Sequence, residues 1–206
     1  MNNLRLENGK RFEELILKQM RIDEQSGLYR AGRSGTQARY AKIPCAKCGL
    51  PSLTPRMVPS NPDFEGTLAD GRHLLIEAKV CSGASLPISD PTHVAPKQVQ
   101  MLLERATMNA LCILMIHFNP RDLKTKSDPS LTIAVPVHPC MDLWREVERA
   151  ETKNISRQRA QDEGVPVEWH TPGKTRTLVP DISGTFYGVG QTLRAAQMEM
   201  NHALSA

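Results

Sequence analysis

The chain has 206 residues, of which 40% are hydrophobic, 23% charged and 4% aromatic. That mix supplies a buried core for a little more than one average domain, and it excludes a disordered, collagen-like or low-complexity chain. The formal net charge of +4 is too small to identify a nucleic-acid partner, and the few aromatics argue against a protein that stacks many bases on side-chain rings.

Residues 110–116 form the longest strongly apolar run, far short of the about 20 residues a membrane-spanning helix needs. Met1-Asn2-Asn3-Leu4-Arg5 carries no apolar leader, so a cytoplasmic location with no membrane partner is expected. The five cysteines are an odd set, expected as reduced thiols or metal ligands.

In chain order, residues 8–25 place Phe12, Leu15, Ile16 and Met20 at helical spacing, and a helix is expected. Residues 25–62 contain no Asp or Glu but hold Arg30, Arg33, Arg39, Lys42, Lys47 and Arg56. A one-sign segment of this kind is a candidate phosphate-contacting strip; a solvated, mobile loop rich in Gly27, Gly32, Ser34 and Gly35 is the competing reading. Residues 38–43 fit a strand. Pro44, Pro51, Pro55, Pro59 and Pro62 then require irregular or extended backbone, so 30–62 reads as a basic, Pro-rich loop. Within it, Cys45-Ala46-Lys47-Cys48-Gly49 has the spacing of half a zinc knuckle. A tetrahedral Zn²⁺ site would need two more ligands from candidates such as His73, Cys81 and His93; two free thiols in a loop are the alternative.

Residues 63–68 and 73–80 read as strands joined by Ala69-Asp70-Gly71-Arg72, a hairpin signal. After a loop at 87–96, a helix is expected from Pro96 to about Asn109, burying Val99, Leu102, Leu103 and Ala106. The continuous apolar run 111–118 fits a strand buried on both faces, and 131–137 fits another. The tail is expected as one charged helix over 141–162, a polar hairpin segment over 165–187 and a last helix over 192–204. The layout is α/β, with a mixed sheet and helices packed on it. Residues 1–139 are expected to form the core and 140–206 an extension packed on it.

The chemistry lies in Asn61-Pro62-Asp63 and Leu75-Ile76-Glu77-Ala78-Lys79-Val80. On a strand, Glu77 and Lys79 project from one face while Leu74, Ile76, Ala78 and Val80 take the other. The hairpin brings Asp63 alongside. Two adjacent carboxylates repel unless a cation lies between them, and hard oxygens select Mg²⁺ or Mn²⁺. An ordinary hairpin with a surface Glu/Lys pair is the competing reading. Pro180-Asp181 with Gly184-Thr185 mimics Pro62-Asp63 with Gly66-Thr67, but no Glu-x-Lys follows, so Asp181 reads as a turn residue.

Pro62-Asp63 followed by Glu77-x-Lys79 resembles the PD-(D/E)xK nuclease superfamily. Asn8-Gly9-Lys10-Arg11-Phe12-Glu13 is similar to the opening of RecU-type Holliday junction resolvases, and Gly9-x-x-x-Glu13 to that of archaeal resolvases. Val94-Ala95-Pro96-Lys97-Gln98 is similar to the RecU segment whose helix start carries a metal-site glutamine. The resemblance covers roughly residues 8–137. It departs at the stretch before Asp63, where RecU proteins carry a longer stalk, and in the tail.

The resemblance implies a restriction-endonuclease-like mixed central sheet flanked by helices, followed here by a C-terminal helical and hairpin extension. It implies a Mg²⁺-dependent nuclease, with Mn²⁺ as a substitute, acting on branched DNA in recombination or repair and working as a homodimer. Asp63, Glu77, Lys79 and Glu13 would be catalytic, and Asp63, Glu77 and Gln98 would hold the metal. Arg30, Arg33, Arg39, Lys42 and Lys47 would bind DNA. Glu14 is the alternative to Glu13, because helix neighbours point about 100° apart. Gln98 reads equally as an exposed helix-start residue. Another nuclease of the same fold, or a non-catalytic DNA-binding recombination protein, are the other functional readings.

Overall fold

The computed structural model describes residues 9–34, 38–44, 51–57, 62–88, 94, 96–119, 130–172 and 178–204, with side chains described outside 38–44, 51–57 and 203–204. Helix α1 (Gly9–Gln25) turns Phe12, Ile16 and Met20 inward, all fully buried. The chain returns as β1 (Tyr29–Arg33), an edge strand antiparallel to β4 (Phe64–Leu68). This corrects the loop reading for residues 30–33. Tyr29 is buried and anchors the strand, and its hydroxyl donates to Asp23 at the end of α1 (2.8 Å). Gly66 permits the pairing, since a Cβ there would meet the Arg30 carbonyl oxygen at 2.3 Å.

Strands β2 (Ala38–Pro44) and β3 (Pro51–Met57) form a separate two-stranded antiparallel ribbon. The extended option was therefore right for residues 51–57. A two-stranded ribbon tolerates Pro44, Pro51 and Pro55 because each strand has one unpaired edge.

Strand β5 (His73–Cys81) pairs with β4 in a hairpin and, in parallel, with β7 (Leu111–Phe118). The short β6 (Ser85–Pro87) and helix α2 (Pro96–Thr107) make the crossover that a parallel pair requires. All eight residues of β7 are buried, as expected of a central strand with helices on both faces. Strand β8 (Leu131–Pro136) is antiparallel to β7.

The tail differs from expectation. The single helix over 141–162 is replaced by α3 (Asp142–Glu148), β9 (Asn154–Ser156) and α4 (Arg157–Glu163). Ala150 takes a left-handed φ of 57°, which stops α3, and fully buried Ile155 holds β9 against β6. Ser156 then caps α4 by accepting from the Arg159 N–H (3.0 Å). Strands β10 (Val165–Pro166), β11 (Trp169–His170) and β12 (Val179–Pro180) precede α5 (Ile182–Leu204), which starts ten residues before 192. Asp181 caps that helix through the Gly184 N–H (3.0 Å). Gly188 lets α5 lie close to the sheet, since a Cβ there would sit 2.8 Å from Val165 Cγ1.

The main sheet has six strands in the order β1-β4-β5-β7-β8-β10, antiparallel except for β5–β7. One face packs Leu74, Ile76, Ala78 and Met115 on α1; the other packs Leu75, Leu114 and Ile116 on α2 and α3. This is the mixed α/β class, a central sheet flanked by helices, that the sequence led us to expect. Among the described residues, no helix is long and apolar enough to cross a membrane.

Candidate active site

Asp63 immediately precedes β4, and the β4–β5 ladder ends at the Phe64/Ile76 pair. The next inward-facing N–H of β5, on Ala78, is thus left for a side chain, and it donates to Asp63 Oδ2 (2.8 Å). The Ser34 N–H donates to the Asp63 carbonyl (3.1 Å), tying the end of β1 to the same point. On β5, Glu77 is completely buried, and Lys79, one-fifth exposed, forms an ion pair with Glu77 Oε1. Gln98, in the first turn of α2, donates its amide to the same oxygen (2.8 Å). The other oxygen, Glu77 Oε2, is buried and has no hydrogen-bond partner among the described residues.

Glu13 enters from α1. It is half-buried while Glu14 is exposed, because burial of Phe12 and Ile16 fixes which side of the helix faces the sheet. Its Oε2 lies 3.4 Å from Arg33 Nη2 at the end of β1. Burial, and then the neighbouring charge of Asp63, raise the Glu13 pKa against the pull of Arg33, Lys79 and Lys10. The same two causes, in the same order, push Glu77 up to about 7, opposed by Lys79 and Gln98. Asp63 is therefore the charge felt by both glutamates.

A buried acceptor without a partner costs roughly 1–3 kcal/mol, and more when charged. Asp63 and Glu77, the latter with an orphaned buried oxygen, are hard oxygen donors of the kind a divalent cation takes. Among the described residues, no three His, Cys, Asp or Glu side chains close on one point. A Mg²⁺ ion fits that arrangement, since it is commonly held by one or two carboxylates and completes its shell with water and substrate phosphate.

The other sequence candidates are scattered. Arg30 is highly exposed and pairs with Glu24 (3.2 Å), away from the carboxylates. Arg39 and Lys42 lie on β2, where side chains are not described. Lys47, Cys45 and Cys48 lie outside the described residues. Of the further zinc candidates, His73 is exposed and Cys81 is a buried thiol that donates to the Ser85 carbonyl (3.2 Å). A cleft of about 550 Å³ between α3, α4 and α5 contains none of the site residues; its charged lining is four acids, Asp142, Asp162, Glu163 and Glu199, against Arg145, a net negative charge unsuited to phosphate.

Sequence reasoning treated Arg33 as one of a basic strip, and the structure seats it against Glu13 instead. No local pattern marks 29–33 as a strand; its pairing with β4, where Ala31 lies opposite Gly66, is a tertiary contact. Sequence reasoning also missed the buried Asp23, which takes hydrogen bonds from Tyr29 and Gln19 (2.8 and 2.6 Å) and locks α1 to β1.

No protein-family model matches the chain, and no curated protein does. Among solved structures, the chain is similar to Archaeoglobus fulgidus Hjc, a Holliday junction resolvase from an archaeal hyperthermophile. The TM-score is 0.41 at 19% sequence identity, over 77% of this chain and 95% of that one.

Proposed function

We propose that the protein is a divalent-metal-dependent endonuclease for branched DNA, with RecU-type resolution of four-way junctions as its specific reaction in recombination or repair. The observation that carries this reading is the fully buried Glu77, with one oxygen orphaned and the other on Lys79, opposite Asp63 across a hairpin. Mg²⁺, or Mn²⁺ in its place, held by Asp63 and Glu77 would neutralise phosphate charge and make hydroxide available near neutral pH. Lys79 orients the attacking water and faces the charge that develops on phosphorus. Gln98 holds the Glu77 carboxylate in place, and its carbonyl oxygen is the atom that would reach the metal. Glu13, with its raised pKa, is suited to exchange a proton with that water.

Arg30, Arg33, Arg39, Lys42 and Lys47 serve as phosphate contacts in this reading. Residues 1–139 make up the nuclease core and 140–206 its extension. Symmetric resolution needs two cuts and hence a homodimer, whose mass light scattering would measure. The decisive experiment is Mg²⁺-dependent cleavage of a synthetic four-way junction beside a flap and a linear duplex, with Asp63→Asn as control. Preferential junction cleavage, lost in the variant, supports the proposal. Equal cleavage of all three substrates would mean another nuclease of this fold. Binding without cleavage in either metal would mean a non-catalytic DNA-binding protein.

A further inference from the structure

We propose that Arg33 is a phosphate-responsive positioning residue: it holds Glu13 while no DNA is bound and releases it when a backbone phosphate takes its guanidinium. This inference rests on the nuclease reading and deepens it, since substrate would then deliver the third carboxylate to the site.

Both backbone stems are fixed. Arg33 ends β1, paired with Phe64, and the next residue, Ser34, is bonded to Asp63 (3.1 Å). Glu13 sits between fully buried Phe12 and Ile16. Only the far ends of the two side chains can move, and those ends meet loosely. The contact is 3.4 Å, with Arg33 46% and Glu13 27% exposed. A well-formed charged N–H···O bond is about 2.7–2.9 Å, and half-exposed ion pairs are weak. A phosphate offers the guanidinium two parallel hydrogen bonds in place of this one long contact. The exchange is therefore downhill for Arg33.

It also changes Glu13. The charges that face Glu13 are Asp63, Arg33, Lys79 and Lys10. Without Arg33, repulsion from Asp63 is less compensated, which favours placing a cation between the acids. Arg30 provides the contrast. Its partner is Glu24 at the distant end of α1, so its loss to phosphate would free nothing at the site.

The test is a double-mutant cycle on junction DNA binding in Ca²⁺ or EDTA, using wild type, Glu13→Gln, Arg33→Ala and the double variant. Circular dichroism would confirm that each is folded, and Arg33→Lys would serve as a second variant. If Arg33 must leave Glu13 to reach phosphate, Glu13→Gln tightens wild-type binding about fivefold and changes the Arg33→Ala background less than about twofold. Arg33→Ala also lowers the slope of log affinity against log salt by about one, and Arg33→Lys restores that slope without restoring full affinity. Equal tightening in both backgrounds would overturn the handover, because it reports simple loss of negative charge. If the wild-type protein binds no DNA, the nuclease reading fails and the handover with it. If it binds DNA without the coupling, the handover alone fails.

Discussion

The hairpin that carries Asp63 and Glu77 and the region from β8 to α5 are both well buried, yet they treat polar groups in opposite ways. In the second region the indole of Trp144 donates to the Pro136 carbonyl (2.6 Å), and Thr132 Oγ1 meets both His117 Nδ1 and the indole of Trp169 (2.8 and 2.9 Å). Asp181 caps α5, and Arg159 bridges Glu146 and Glu163. Around the hairpin, Glu77 Oε2 and Ser34 Oγ are buried without hydrogen-bond partners among the described residues, and burial and the charge of Asp63 raise the pKa of Glu13 and Glu77. In the region from β8 to α5, Trp144, Thr132 and Asp181 find their partners within the chain. The other leaves buried oxygens unmatched among the described residues.

The largest expected effect separates the two regions by activity. Asp63→Asn or Glu77→Gln should lower kcat on a junction by at least about 10⁴-fold, roughly 5 kcal/mol of transition-state stabilisation, while DNA binding persists or tightens. Single-turnover cleavage and a binding titration would show both. Near-normal cleavage by either variant would remove these residues from the site.

Next in size is the converse. Trp144→Ala should cost about 3–5 kcal/mol in urea unfolding, because it empties a fully buried site and orphans the Pro136 carbonyl. Cleavage per folded molecule should be unaffected. A loss of less than about 1 kcal/mol would contradict the account of a self-sufficient packed region.

The pH dependence of the metal-free protein is the third test. Glu77 rises from 4.5 to about 7 on folding, so the folded state favours its protonated form. Its stabilising contribution is therefore complete below about pH 4.5 and is lost as pH rises to about 7, on the order of 3 kcal/mol. Urea midpoints at pH 5 and pH 8 would measure this. Glu77→Gln should flatten the dependence, and Mg²⁺ should raise the midpoint more at pH 8 than at pH 5. The smallest effect is at the α5 cap: Asp181→Ala should cost about 1 kcal/mol, with cleavage unchanged.

Legibility followed the range of the forces involved. The strands at 64–68, 73–81 and 111–118 and the helices at 9–25 and 96–107 were readable because alternation, helical spacing and a Gly-turn signal act between near neighbours. The Asp63/Glu77/Lys79 set was readable for the same reason, since hairpin register follows from the turn. Strand β1 was hidden because only tertiary contacts make it a strand: its partner β4 lies about thirty residues on, and Gly66 makes the room. The tail was misread because one buried Ile155 and a left-handed Ala150 outweigh a weak helical pattern.

By itself, the sequence determined the α/β class, the central strands and the acids and lysine grouped on one hairpin, all through contacts local along the chain. The tertiary structure alone decided that Glu77 is buried with an orphaned oxygen, that Glu13 rather than Glu14 faces Asp63, and that Arg33 rests on Glu13. Those outcomes depend on burial and on the meeting of elements distant in sequence, and desolvation and charge pairing exist only once the chain has closed around them.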